Sequence, residues 1–265
     1  MKQYKAYAKV NIFLKITGTR GEYHEIFSRF MRVKSLYDQL SFVPKSDLDA
    51  KMNQFTILGD FDCETSQNTI YKAYVALKEY TKSSSLENLM QTHAIKVEKN
   101  IPAYAGLGGG SSDAATFLKM CNGVLDLDLS LNELAQIGVK VGADVPFFIY
   151  GYDSANVSGI GEVVEPYDEE PLAFEVFTPD VKISTPRVYK AYRENFYDPI
   201  DGFEVQKLKD MDSKKVLTNS SATEANDLFV PAIQEYPELK EHYKQGYFFS
   251  GSGSSFFKVE EENNG

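Results

Sequence analysis

At 265 residues the chain is long enough to bury a substantial core and to divide into two domains, and 43% hydrophobic with 25% charged residues is the composition of a globular protein. A formal charge of −10 argues against a broad nucleic-acid footprint and against generic attraction to anionic membranes. Two cysteines and three histidines leave no disulfide framework or clustered transition-metal site, no stretch reaches the ~20 apolar residues of a membrane span, and the start MKQYKAYAKV lacks a signal-peptide core, so the cytoplasm is the expected address.

Residues 8–16 alternate, with Ala8, Val10, Ile12, Leu14 and Ile16 on one face and Lys9, Asn11, Phe13 and Lys15 on the other, which predicts a half-buried strand. Residues 27–34 and 39–43 read as strands flanking a turn at Leu36, Tyr37 and Asp38, and 55–58 as a further β-like stretch. Helical spacing follows over 68–80, then a strand at 93–98 that leads into GLGGGSSDAA, residues 106–115.

That decapeptide combines a glycine run, two hydroxyls and an immediate helix start near Ser111, with Ala114, Phe117, Leu118 and Cys121 continuing at helical spacing. Glycines admit positive φ and let backbone amides converge on an anion, while the helix aims its positive end at the same point. A nucleotide polyphosphate fits such a cradle. No lysine stands in the run, so it is not a Gly-x-x-x-x-Gly-Lys-Ser/Thr loop; Ser111 replaces the third glycine of a dinucleotide fingerprint, and the flanking strand and helix argue against a flexible linker.

Downstream, Ser130 and Glu133 form a capping-box pattern for a helix over 131–141, with Gly142 as its terminator and Ala143, Asp144, Val145 and Pro146 next. Gly, Ser and Asn cluster over 152–161, the candidate domain boundary. A strand is expected at 172–177 and helices at 186–195, opened by Thr185 as N-cap with Pro186, at 224–236 and at 237–244. Residues 247–249 and 256–259 read as a hairpin joined by the small-residue loop 251–255.

The ordered set AKVN (8–11), GEYHE (21–25), GLGGGSSDAA and GADVPFF (142–148) resembles the GHMP small-molecule kinases along nearly the whole chain. The resemblance implies an α+β two-domain GHMP kinase fold, with an ATP-binding domain at 1–155, a second domain at 156–265 and the active site in the cleft between them. It implies Asp144 as catalytic base, also contacting substrate, and Lys9 as its charged partner in phosphoryl transfer. The cofactor ATP is then met by Asn68, Lys99, Pro102, Gly106, Leu107, Gly108, Gly109, Gly110, Ser111 and Ser112.

Asn11, Tyr23, His24, Thr185, Tyr189, Gly251 and Gly253 are implied for the acceptor, with Tyr23, His24 and Tyr189 around a cytosine. That base points to a cytidine diphosphate alcohol as the small-molecule partner. Mg2+ is expected on the ATP phosphates and a hydroxyl such as Ser111 or Ser112, with no dedicated protein metal site. Neither nucleic acid nor membrane is an expected partner, and the chain is expected to be a monomer or weak homodimer. The rivals are a homoserine or mevalonate kinase, which need no cytosine-recognising pair, and a silent nucleotide sensor, which would lose Lys9 or Asp144. The sequence departs from the family in its shorter turn at Arg20-Gly21-Glu22-Tyr23-His24 and in having Ala103, Tyr104 and Ala105 where glycines often stand.

Overall fold

A computed structural model describes residues 2–48 and 55–260, which cluster into two compact units. Unit 1 draws on Met1–Ala8, Leu36–Ile101 and Gly108–Gly151, and unit 2 on Lys9–Ser35, Pro102–Leu107 and Tyr152–Gly265.

Strands β1 (Tyr4–Arg20) and β2 (Tyr23–Pro44) contribute to both units. The expected turn at 36–38 is absent, because β2 runs unbroken for 22 residues. The reason is Asp38: its carboxylate accepts hydrogen bonds from the Asn100 and Ile101 amides and from Lys99, rather than closing a local turn. In unit 1, β3 (Ile57–Leu58) leads through α1 (Thr69–Thr81) and α2 (Ser84–Thr92) to β4 (His93–Glu98). β4 pairs antiparallel with β2 from Gln39↔Glu98 to Pro44↔His93 and parallel with β3.

Helices α3 (Gly109–Val124), α4 (Leu131–Val139) and α5 (Val145–Tyr150) complete unit 1. Ile70, Ala73 and Leu77 of α1 and Ala114, Phe117, Leu118 and Cys121 of α3 are buried, so the helical spacing does mark the core face. The Ser130–Glu133 capping box forms as expected. Gly142 is not the αL terminator: α4 stops at Val139, and Val141 and Gly142 donate back to the Gly138 carbonyl.

In unit 2, Ile26–Met31 of β2 pair antiparallel with β5 (Ser154–Gly159), which pairs with β6 (Val163–Pro166). The small-residue texture at 152–161 is therefore largely a strand, with Ser154, Ala155, Asn156 and Val157 buried. β1 is buried on both faces from Ala8 to Leu14, against the half-buried expectation, because its polar side chains satisfy one another and nearby backbone rather than facing water.

β7 (Phe174–Phe177) is followed by α6 (Thr185–Asn195), α7 (Gly202–Lys209), α8 (Ser213–Asn219), α9 (Ala222–Ala225), α10 (Phe229–Glu235) and α11 (Leu239–His242). Ser184 rather than Thr185 occupies the N-cap of α6. The single helix expected over 224–236 is split at Asn226, whose amide donates to the Phe249 and Gly251 carbonyls and accepts from Leu228 N. β8 (Phe248–Phe249) and β9 (Phe256–Val259) form the expected hairpin, with β7 on the other edge of β9. Leu14, Ile16, Val188, Tyr192, Phe229, Phe249 and Phe256 lie in its buried cluster. No helix among the described residues is long and apolar enough to cross a membrane.

Candidate functional site

In unit 1 the glycine run opens α3. Gly108 is the N-cap at φ 72°, in the left-handed region, and supplies no side chain to cap the helix. The first intrahelical bond runs from Ser112 N to Gly108 O at 2.9 Å, which leaves the amides of Gly109, Gly110 and Ser111 as the unsatisfied donors of a sixteen-residue helix. Thr69 Oγ1 donates to Gly110 O at 2.6 Å, and a Cβ on Gly109 would lie 2.9 Å from Ile101 Cγ2. The loop therefore rests on α1 and on the segment after β4.

Behind the loop, Lys99 Nζ bridges two buried carboxylates, Asp38 and, at 2.7 Å, Asp113. Burial pushes the Asp113 carboxyl up to about 7, against the opposing pull of Lys99. Asn68 caps α1, its Oδ1 accepting from Ile70 N at 2.9 Å. Both Lys99 and Asn68 thus brace the elements on which the loop rests. Ser111 is half-buried, and its Oγ lies 3.7 Å from where a Cβ on Gly142 would stand, so the start of α3 adjoins the turn that carries Asp144. Ser112 is buried. Asp144 is half-buried at the N-cap position of α5 and does not spend its carboxylate on capping that helix.

In unit 2, Lys9 is only 3% exposed. Its ammonium donates to Asn11 Oδ1 at 2.6 Å and to Gly106 O at 2.9 Å, and lies 4.5 Å from the centre of the Phe30 ring. Asn11 Nδ2 donates to Ser28 Oγ, whose hydroxyl donates to Phe13 O. The Lys9 amide donates to the carbonyl of buried Leu107, and Ser250 Oγ donates to Gly106 O. The sequence pairing of Lys9 with Asn11 is thus realised, and Gly106 joins them.

The second glycine loop meets the same network. A Cβ on Gly251, at φ 58°, would stand 3.4 Å from Asn11 Oδ1, and one on Gly253, at φ 97°, would collide with Phe249. Thr185 Oγ1 is 2.7 Å from Ser252 Oγ, which ties the start of α6 to this loop. Pro102 is exposed in the segment before Gly106.

His24 and Tyr189 come together, with ring centroids 5.2 Å apart and planes 32° from parallel. Tyr192 meets His24 edge-on at 5.7 Å, and Tyr197 stands at 6.5 Å. His24 is 7% exposed and Tyr23 65%, as expected for successive strand residues on opposite faces, so Tyr23 is not part of the same ring cluster. Burial, and secondarily Arg193, lower the His24 pKa from its ordinary value, which favours the neutral imidazole.

Reading the sequence missed Asp38, Asp113, Ser250, Asn226 and Arg193. Asp113 had a usable signal: it sits inside the glycine motif on the apolar face of α3. The others act through partners distant in sequence.

Residues 68–152 match the family described as GHMP kinases N terminal domain. The chain is 68% identical to the 4-diphosphocytidyl-2-C-methyl-D-erythritol kinase of Sulfurimonas denitrificans, covering 100% of this chain and 99% of that protein. It is 45% identical to the kinase of the same name from a Sulfurovum species, covering 98% of this chain and 100% of that protein. Among solved structures, a 4-(cytidine 5'-diphospho)-2C-methyl-D-erythritol kinase superposes with a TM-score of 0.74 at 30% identity, over 98% of this chain and 90% of the other. The mevalonate kinase of Methanococcus jannaschii has a TM-score of 0.59 at 13% identity, covering 98% and 91%, and shares the fold.

Proposed function

Since the chain belongs to the 4-diphosphocytidyl-2-C-methyl-D-erythritol kinase family of the GHMP kinases, we propose that it transfers the γ-phosphoryl group of ATP to the 2-hydroxyl of 4-diphosphocytidyl-2-C-methyl-D-erythritol, in the methylerythritol phosphate route to isoprenoids. Its fold is the α+β, two-domain fold of that superfamily, and its activity is that of a small-molecule kinase. The observation that carries the reading is a glycine-only, uncapped start of α3 in a chain aligned end to end with kinases of this name.

The residues support the following division of labour. The amides of Gly109, Gly110 and Ser111, with Gly106, Leu107 and Gly108 before them and Ser112 after, take the nucleotide phosphates; Asn68, Lys99 and Pro102 complete the nucleotide side. ATP supplies the phosphoryl group and Mg2+ offsets its charge when bound; the Ser111 hydroxyl, half-exposed at the helix start, suits that ion better than buried Ser112. Asp144 takes the proton of the acceptor hydroxyl as that oxygen bonds to phosphorus and the bond to the ADP oxygen breaks. Lys9 orients the hydroxyl and offsets charge on the transferring group, held in place by Asn11 and Gly106 O. Asn11, Thr185, Gly251 and Gly253 line the acceptor, and His24 and Tyr189 receive its cytosine; Tyr23, on the opposite strand face, is left out of that pair.

We further assign the ATP-binding domain to 1–155 and the second domain to 156–265, and place the enzyme in the cytoplasm as a monomer or weak homodimer without nucleic-acid or membrane partners. The test is ADP release by the purified protein with the cytidine diphosphate alcohol, against a no-acceptor control and against homoserine and mevalonate. Turnover confined to the cytidine compound is expected. Turnover with either other alcohol at a comparable kcat/KM overturns the assignment of the acceptor.

A further inference from the structure

Helix α6 presents Tyr189, Tyr192 and Arg193 at i, i+3 and i+4, which places them on one face. The two tyrosine rings pack on His24. Arg193, the third member of the face, reaches the turn between β1 and β2: its Nη2 donates to Glu22 O at 3.1 Å, and its Nη1 lies 3.9 Å from the Glu22 carboxylate. The backbone carbonyl is the substantial partner, since the Glu22 side chain is 96% exposed and its ion pair is screened.

Buried side-chain nitrogens without a hydrogen-bond partner include both His24 Nε2 and Arg193 Nε. Unpartnered buried polar atoms are uncommon, and two in neighbouring side chains mark a place where a polar partner is received. His24 supplies the nitrogen, and Arg193 fixes the backbone from which His24 projects.

We propose that Arg193 is a positioning residue for base recognition, holding the turn before Tyr23-His24 against helix α6 so that the His24 imidazole meets the polar edge of the cytosine. The inference rests on the cytidine acceptor proposed above. The guanidinium has a second effect on the same ring, because its positive charge opposes formation of the imidazolium. A neutral imidazole has one donor and one acceptor nitrogen, whereas an imidazolium has two donors. Cytosine offers an exocyclic N–H donor where uracil has a carbonyl, so an imidazole acceptor favours cytosine and an imidazolium does not.

The experiment compares wild type, Arg193→Gln and Arg193→Lys for kcat, for KM of ATP, and for kcat/KM of the cytidine and uridine forms of the acceptor. Arg193→Gln is expected to raise the acceptor KM on the order of tenfold and to narrow the cytidine-to-uridine ratio, while kcat and the ATP KM stay within about twofold. Arg193→Lys keeps the charge but loses the planar donor pair, so its acceptor KM should fall between the other two, with the base ratio nearer wild type. A folded Arg193→Gln protein with wild-type acceptor KM and base ratio overturns the inference. So does a uniform loss of kcat and of both affinities, the signature of a merely structural residue. Should Arg193→Gln not fold, an unchanged acceptor KM in Arg193→Lys overturns it equally. Wild-type protein that turns over no cytidine acceptor fails the functional reading itself, and the inference falls with it.

Discussion

Lys9 donates to Asn11 Oδ1 at 2.6 Å, two positions along the same strand face, so a buried ammonium is held by the residue that the backbone period places beside it. Removing the charge therefore costs twice. Lys9→Met removes the donor to the Asn11 amide oxygen and one of the two donors to the Gly106 carbonyl, which keeps Ser250 Oγ, and is expected to lower kcat by on the order of 10²-fold with a measurable loss of stability. A wild-type kcat in folded Lys9→Met would remove Lys9 from the chemistry and leave it a brace for Gly106.

Asp144→Asn makes the complementary test. The carboxylate does not cap α5, so the amide should cost that helix little. It cannot accept a proton, and kcat should fall on the order of 10²-fold or more while the Kd for ATP stays near wild type. Calorimetry for ATP and steady-state rates on one preparation separate these quantities. Undiminished turnover would mean that another group takes the hydroxyl proton.

The glycines of the first loop should respond differently to an added methyl. At Gly106, φ 73° and a Cβ 2.1 Å from Ser250 O predict a loss of at least about 1–3 kcal/mol from the backbone alone, read as a fall in Tm. At Gly109 the methyl meets Ile101, so stability and nucleotide affinity are entangled there. Gly110 is the mildest position: φ is ordinary and the nearest atom is Thr69 Oγ1 at 3.2 Å, a side-chain atom, so the methyl strains the Thr69–Gly110 hydrogen bond but meets no backbone. Gly110→Ala should raise the ATP KM with a small change in Tm, and an unchanged KM would show that the phosphates do not approach this amide.

Asp113 gives a pH dependence with a definite sign. Its folded-state pKa, pushed up to about 7, lies above that of an unfolded aspartate, so the folded protein keeps a proton that the unfolded chain releases as pH rises from about 4 to 7. Its contribution to stability is present below that window, is lost across it, and stays lost above pH 7. His24 tilts the opposite way near its ordinary value, so the informative quantity is the difference between wild type and Asp113→Asn. Urea unfolding at several pH values should show that difference shifting in favour of the variant as pH rises from 5 to 7.5; a constant difference would mean that Asp113 is ionised throughout.

Tyr189→Ala addresses the base. Stacking on an aromatic is worth about 1–3 kcal/mol per base, so the acceptor KM should rise roughly 5- to 150-fold with ATP unaffected. The loss of a ring beside His24 should also lower discrimination between cytidine and uridine forms. If neither quantity moves, Tyr189 is a packing residue of α6 and the base lies elsewhere.

The parts of this protein legible from sequence are those whose partners are close along the chain. α1, the α4 capping box and the β8–β9 hairpin each formed near their expected bounds because their signals lie within a few residues of one another. The turn expected at Asp38 did not form, since the groups that satisfy its carboxylate lie at 99–101. The helix expected over 224–236 broke at Asn226 for the same reason, its partners being Phe249 and Gly251. α2 is hard to read from sequence although Ser83 caps it, because Leu86 and Met90 alone mark its buried face. At the site, Lys9 lies beside Asn11 as the strand period implied, and His24 lies beside Tyr189, while Tyr23 faces away from that ring pair.

The long strand β2 limits how the molecule can be dissected. A fragment ending at Gly151 retains every segment of unit 1, yet also carries Ile26–Met31 without β5, the partner they hydrogen-bond in the whole chain. That leaves an open ladder edge bearing Phe27, Phe30 and Met31, a template for intermolecular pairing. Truncations meant to isolate nucleotide binding will be sticky, and insoluble expression of such a fragment reports an orphaned strand rather than a defect in its glycine loop.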